Sequence, residues 1–436
     1  MESCLVAPSG ATPATRLWLS PLDVAATRGY TPTIYLYRSG AAFLDVARLK
    51  EAMAKALVAF YPLAGRLGAG GDGRVEIACN GEGALFVAAR SHLAAADVDF
   101  TKPSPELRRM LVPAVEPSSL VLAVQVTFFK CGAVALGVAV HHAAVDGTST
   151  FHFLKTWSAF FRDGDGATVE LPCHDRTLLR ARSPPAVHPD ALSVRLLPRV
   201  ALSASSPPTA TEVFTISGHQ IAALRRICGG GTSTFCCVSA LLWRCAIAAR
   251  RLPPDATTRL SFPVNIRRRG SLRPPLPARY FGNALVSLAA AAAAREIVAS
   301  GALASVAGRI AGALARMDDE VVRSAIDYLE LAGAGNGMGV RPPRGSLPET
   351  ELRVVSWLGM PAYDADFGGG MPQVMSRADS VRGGFAHVIN DRPPADHPGG
   401  GEGGGIRVVM CMEAANMDEF GRLLYANITE AKASKL

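Results

Sequence analysis

His141-His142-Ala143-Ala144-Val145-Asp146-Gly147 follows the apolar run 133–140 and leads directly into an amphipathic stretch, 148–161. An apolar strand, two adjacent histidines, a turn and a new helix fit the irregular strand–helix alternation of the whole chain, which predicts mixed α/β lobes rather than a solenoid or barrel. An imidazole with an ordinary pKa near 6.5 can take a proton at neutral pH, as a general base must. The end of a buried strand would hold such a ring still. If the strand geometry continues, His141 and His142 project to opposite faces, so only one faces a given cleft. Taken alone, the pair also fits two hydrogen-bonded core histidines closing a strand. No His-Glu-x-x-His pattern or third ligand points to a metal, and no Gly-x-Ser-x-Gly elbow points to a serine hydrolase.

Outward from this stretch, strands and helices alternate irregularly. Residues 120–129 and 133–140 read as buried strands around Lys130-Cys131-Gly132, and 33–37 as a β-branched, aromatic strand. Leu49, Met53, Leu57 and Phe60 repeat at helical spacing. Residues 75–78 and 85–88, around Asn80-Gly81-Glu82-Gly83, predict a hairpin. The Pro- and Ser-rich stretch 172–210 predicts a crossover between an N-terminal lobe, 1–171, and a C-terminal lobe, 211–436. Helices are expected at 219–227 and 235–249, a strand at 260–264, and one long Ala-rich helix at 296–317. A surface loop is expected at 391–405, then a strand at 406–412 and a helix at 417–424.

The chain has 436 residues, 49% hydrophobic and 19% charged, with a net charge of +8. That is too apolar for a disordered chain and long enough for two lobes. The arginines are scattered, with one run at Arg267-Arg268-Arg269, which favours a phosphorylated small molecule over nucleic acid. The nine cysteines form no Cys-x-x-Cys pair, which indicates a reducing compartment and no structural zinc. No signal peptide or membrane span is expected, because residues 121–140 are interrupted by Gln125, Lys130 and Gly132.

A second motif, Tyr363-Asp364-Ala365-Asp366-Phe367-Gly368-Gly369-Gly370, follows the strand-like 352–357. With His142-x-x-x-Asp146-Gly147 it resembles, in order and spacing, the plant BAHD acyltransferases, which use acyl-CoA donors. Tyr61-Pro62-Leu63-Ala64-Gly65-Arg66-Leu67, Val264-Asn265-Ile266-Arg267 and Tyr280-Phe281-Gly282-Asn283 agree with that family. Trp18-Leu19-Ser20-Pro21-Leu22-Asp23 and Tyr30-Thr31-Pro32-Thr33-Ile34-Tyr35 are similar to its hydroxycinnamoyltransferase branch.

The resemblance implies an α/β fold of two similar mixed-sheet lobes, like chloramphenicol acetyltransferase. A long crossover joins the lobes, with an active-site channel between them. It implies His142 as the general base that deprotonates the acceptor during attack on the thioester. Asp146 is implied as a structural residue paired with Arg267, or with Arg269 as second choice, and Asp366 as paired with an arginine of the same basic segment. The substrate-pocket candidates are Tyr30, Thr31, Trp357, Gly359, Asp364 and Gly369. No metal or permanently bound cofactor is implied; acyl-CoA is the co-substrate.

Two departures shape the expected substrate. The family carries Trp where this chain has Gly369, so oxyanion stabilisation must come from another group. Shikimate-using relatives carry Ser-Trp-Ala-Arg, whose Arg clamps a carboxylate, where this chain has Ser356-Trp357-Leu358-Gly359. A polyamine such as spermidine, or another amine, is therefore the expected acceptor, with Asp364 available to attract a cation. O-transfer to a shikimate-type alcohol and a catalytically impaired binder are the alternatives. A monomer without nucleic-acid or membrane partners is expected, in the cytoplasm. Ser434-Lys435-Leu436 matches the peroxisomal import tripeptide and names the alternative compartment.

Overall fold

Runs rich in Val, Ala and Phe at 122–129 and 134–141 form adjacent strands because both faces of their sheet are covered, so no polar alternation is needed. The computed structural model describes every residue except 27–28, 39–44, 72, 118, 189–206, 268–269, 300, 302, 335–345, 380–381, 393–403 and 434–436. In chain order the strands are β1 (Glu2–Val6), β2 (Arg16–Trp18), β3 (Tyr30–Tyr37), β4 (Arg66–Ala69), β5 (Val75–Ala78), β6 (Ala84–Ser91), β7 (Leu122–Phe129) and β8 (Val134–His141). They continue as β9 (Thr209–Ile216), β10 (Thr257–Asn265), β11 (Leu285–Ala293), β12 (Glu351–Ser356), β13 (Val374–Arg377), β14 (Phe385–Asn390) and β15 (Ile406–Glu413). The helices are α1 (Pro21–Ala25), α2 (Val46–Ala59), α3 (Pro105–Leu111), α4 (Gly147–Asp163) and α5 (Gly218–Ile227). After them come α6 (Thr234–Ala249), α7 (Ala294–Val298), α8 (Leu303–Ala315), α9 (Asp319–Ala334) and α10 (Ala414–Ala433).

Two six-stranded mixed sheets organise these elements, in the orders β1-β6-β7-β8-β3-β13 and β11-β10-β12-β14-β15-β9. Helices α2 and α4 pack on the first sheet around buried Phe60, Phe153 and Trp157. Helix α6 fills the second lobe, with Trp243 fully buried. Alternation along β12 sends Leu352 and Val354 into the second core and turns Val355 toward the first, so this face of the second sheet meets the N-terminal lobe.

The lobes exchange one strand. β13 lies far along the chain yet pairs antiparallel with β3, with Arg377 opposite Thr33. The C-terminal segment from Trp357 to Met375 thus packs in the core of the N-terminal lobe.

Two local expectations are corrected. Residues 75–78 and 85–88 do not form a hairpin. β5 pairs with β2 and β4 in a small separate sheet, while β6 joins β1 and β7. The connection runs through Gly81 and Gly83 at φ +68 and +105, and a Cβ on Gly83 would meet the Val6 carbonyl oxygen at 2.7 Å. Glycine there lets the chain pass close against β1 and enter a different sheet. The Ala-rich helix is broken into α7 and α8, with Gly301 at φ +73 between them. Helix propensity of the alanines does not carry across this left-handed residue. Much of the expected crossover and of the loop 391–405 lies outside the described residues, as do Arg269 and the tripeptide 434–436.

Candidate active site

The strand β8 ends at His141, whose neighbour across the ladder is Tyr30. The two histidines part there. His141 packs edge-on against the Tyr30 ring at 5.2 Å, and its Nδ1 accepts from the Ala143 N–H at 3.3 Å. His142 turns toward the second lobe, its backbone N–H held by the Gly29 carbonyl at 2.8 Å. The ladder thus fixes the backbone on both sides of the imidazole.

Asp146 caps α4, accepting from the Ser149 N–H at 3.0 Å. It also forms a two-point ion pair with Arg267, Nη1 to Oδ2 at 2.7 Å and Nη2 to Oδ1 at 3.1 Å. A further bond from the Ala284 N–H, at 3.1 Å, completes its shell. Arg267 spends its other donors on the Tyr280 and Gly282 carbonyls, each at 2.9 Å from Nη2. Burial pushes the Asp146 carboxyl up, but Arg267 outweighs it and holds the group below the usual carboxylate value. Asp146 is therefore ionised and fully committed, and its carboxylate ties the two lobes together beside the imidazole.

A second network, built on Asn283 and Asp23, sets the state of His142. Asn283 Oδ1 lies 3.1 Å from His142 Nδ1. Its amide hydrogens go to Asp23 Oδ1 at 2.9 Å and to the His142 carbonyl at 2.8 Å. With both hydrogens spent, the atom facing Nδ1 is the amide oxygen, so Nδ1 carries the proton and Nε2 presents its lone pair. Asp23, fully buried, is held by the Ser20 N–H at 2.9 Å and hydroxyl at 2.7 Å and by Arg176 at 2.9 Å. Arg176 also binds the Ala144 carbonyl at 2.6 Å, which anchors the turn between His142 and Asp146. Burial holds the His142 pKa below the ordinary imidazole value; Arg377 adds to that, while Asp146 and Asn283 oppose it. The ring is neutral at pH 7, the form a base needs. Asn283 and Asp23 both stand in stretches that marked the family resemblance, but nothing local in either stretch shows that they meet.

The remaining candidates separate along α4. Trp357 lies at its N-terminal end, 3.8 Å from a Cβ placed on Gly147, with its ring against Phe151 and His387. Gly359 has φ +71, and a Cβ there would meet nothing within 4 Å. Thr31, half-buried, faces Val140 across the ladder. The Tyr30 hydroxyl donates to the Leu120 carbonyl at 2.6 Å, so the side chain belongs to the His141 face.

Asp364 and Gly369 are not brought to the imidazole. The segment after Trp357 runs along α4, so Asp364 pairs with Lys155 at 3.2 Å, and Gly368 lies against Arg162. The 17 residues of α4 put these contacts well away from His142, the last of them, at Arg162, roughly 22 Å along the helix axis from Gly147 at 1.5 Å per residue. The expected pairing of Asp366 with the basic segment is also corrected. Its Oδ1 accepts from the Gly368 N–H at 2.8 Å and the Gly370 N–H at 2.9 Å, and its carbonyl accepts from Arg162 at 2.9 Å. Two left-handed glycines, at φ +94 and +89, aim both N–H groups at one carboxylate, so no arginine is needed to hold the turn. Phe367 fixes the loop to the core against Tyr37, Trp157 and Phe161.

A two-lobed α/β scaffold with a neutral, oriented imidazole at the lobe contact defines an acyltransferase-type site. The Transferase family model matches residues 1–426. Putrescine hydroxycinnamoyltransferase 1 of Oryza sativa subsp. japonica is 43% identical, covering 98% of each chain. Hydroxycinnamoyl-CoA:5-hydroxyanthranilate N-hydroxycinnamoyltransferase HHT4 of Avena sativa is 38% identical over 97% of this chain and 98% of its own. Among solved structures, vinorine synthase superposes with a TM-score of 0.74 at 24% identity, over 98% of this chain and 97% of its own. The chain belongs to the BAHD acyl-CoA-dependent acyltransferases, in the hydroxycinnamoyltransferase branch. It transfers a hydroxycinnamoyl group from a CoA thioester to a small acceptor. Among the described residues no His/Cys/Asp/Glu group is arranged to hold a metal, and no helix is long and apolar enough to cross a membrane.

Proposed function

We propose that His142 is the general base of an N-hydroxycinnamoyl transfer and that the acceptor is an amine, a polyamine such as putrescine or spermidine first. The observation that carries the base assignment is the imidazole with Nδ1 held by Asn283 and Nε2 left with its lone pair. The acceptor nitrogen adds to the thioester carbon while Nε2 takes its proton. The C–S bond then breaks, and the proton is returned to the thiolate as free CoA-SH. A positioned base of this kind contributes about 10²–10⁴-fold. The amine reading is supported by Gly359, which offers no guanidinium to a carboxylate, and by relatives named for N-transfer. The protein acts as a monomer in this reading.

The test is thiol release from p-coumaroyl-, caffeoyl- and feruloyl-CoA with putrescine, spermidine, an aromatic amine and shikimate, with products identified by mass spectrometry. Amide products with a polyamine are expected. Ester products alone would replace the amine with an alcohol. An alkylamine must shed its ammonium proton before attack, so its rate rises toward alkaline pH; a flat profile from about pH 6 to 9 with a polyamine contradicts transfer to an alkylamine.

A further inference from the structure

The lobe contact holds several buried arginines, and most are engaged. Arg267 binds Asp146 and two carbonyls, and Arg407 donates to the Tyr363 hydroxyl at 3.0 Å and the Met375 carbonyl at 2.7 Å. Arg377 differs. Its Nε is buried without a partner, and among the described residues its guanidinium makes no hydrogen bond or ion pair. It lies deep in the protein yet keeps partial access to solvent, as a side chain on a channel wall does. Burial lowers its pKa to about 10, so it stays cationic at neutral pH.

Its position is fixed. The last residue of β13, Arg377 pairs with Thr33, and the next N–H, of Ala378, binds the Pro32 carbonyl at 3.0 Å. The guanidinium carbon stands 6.0 Å from the centre of the Trp357 ring, which itself sits at the N-terminal end of α4. The Thr33 hydroxyl, its ladder partner, is likewise buried without a hydrogen-bond partner among the described residues. Arg377 is close enough to His142 for its charge to act on the imidazole. A desolvated cation with unused donors is costly to keep, and the ring face offsets only part of that cost. Such a group is retained where an anion arrives.

We propose that Arg377 is the oxyanion donor of the acyl transfer, holding the negative charge that forms on the thioester carbonyl oxygen when the amine adds. This rests on the reading of His142 as the base. As the C–N bond forms, the carbonyl π pair moves onto oxygen and is held there by guanidinium N–H bonds, with no proton transferred. Collapse returns the pair to the carbonyl and expels the thiolate. An oxyanion between Arg377 and the newly formed imidazolium converts a repulsion into two attractions, so the gain is confined to the intermediate and the transition states flanking it. The donor thus comes from a strand at the end of α4 that carries the imidazole, which position 369 does not reach.

Arg377→Met and Arg377→Lys, compared with wild type in p-coumaroyl-CoA assays with putrescine and with an alcohol acceptor, test the proposal. Arg377→Met should lower kcat by about 10²–10³-fold with every acceptor that turns over, leaving both KM values within about threefold. Arg377→Lys, which keeps a cation, should recover part of the loss. Melting temperature should hold or rise in Arg377→Met, because an unpaired buried charge is removed. Loss of the Arg377 charge should also move the acid limb of kcat/KM upward, since it opposes the imidazolium while Asp146 and Asn283 favour it. Wild-type kcat in both variants overturns the proposal, as does a loss seen only in the KM of one acceptor. A Met variant that does not fold is replaced by Arg377→Gln, which removes the charge while keeping a polar side chain, and whose wild-type kcat would equally overturn the proposal. If the wild type makes esters only, the amine reading fails while Arg377 is still read with the alcohol. If His142→Ala keeps full turnover, the base reading fails instead.

Discussion

The two ends of α4 carry the two motifs of the chain, and they use their aspartates in opposite ways. At the N-terminal end Asp146 is buried and binds a residue of the other lobe, Arg267. Its neighbours include an oriented imidazole and an unpaired guanidinium. At the C-terminal end Asp366 closes its own loop on Gly368 and Gly370, and among the described residues it meets one arginine, Arg162, through its carbonyl. Similar sequence texture, an Asp beside glycines, thus marks the proposed reaction centre at one end and a loop anchor at the other. Burial and the source of the partner decide which.

Breaking the N-terminal end should produce the larger effects. His142→Ala is expected to reduce kcat/KM by about 10²–10⁴-fold, measured by thiol release, with little change in melting temperature. Asp146→Ala leaves Arg267 buried and unpaired, which costs roughly 3–5 kcal/mol and should appear as a large drop in the denaturation midpoint. Asp366→Ala removes a turn cap nearer the surface, worth about 1 kcal/mol, and should leave kcat within about twofold of wild type. Gly369→Trp should change neither kcat nor the midpoint, because the added indole lies at the far end of the helix; a large gain in rate would contradict the separation of the two ends.

Acid should sharpen the picture through the buried histidines. Burial lowers the pKa of His152 and His174 to about 4, and lowers those of His142 and His387 as well. Between about 4 and 6.5 the unfolded chain binds protons that the folded chain refuses, so stability rises with pH across that window. The melting temperature should therefore fall as pH drops below about 6.5. A constant value from pH 7 to 5 would show that these rings are solvated.

Much of this organisation is legible in residue order. The strand–turn–helix around His142 follows from apolar runs and an Asp-Gly, whereas the Asp146–Arg267 pair follows only from the family resemblance. Two α/β lobes were expected from the family resemblance. What is not legible depends on which segments the fold brings together. Asn283 reaches His142 from 141 residues away, and Arg377 reaches the site only because β13 leaves its own lobe to pair with β3. The 75–88 hairpin and the long Ala-rich helix fail to form for a related reason. Local pattern names a strand or a helix, but Gly83 and Gly301 redirect the chain by backbone conformation and close approach, which periodicity does not report.

In the proposed mechanism a neutral His142, fixed by Asn283 with Nε2 free, does the proton transfer at the N-terminal end of α4. The pH dependence of kcat/KM with an aromatic amine acceptor tests it most directly, because that nitrogen is already unprotonated near neutrality. A single acid limb is predicted, with an apparent pKa below 6.5, level above it, and absent from the residual rate of His142→Ala. An acid limb with an apparent pKa above 6.5, or one that survives unchanged in His142→Ala, would contradict it.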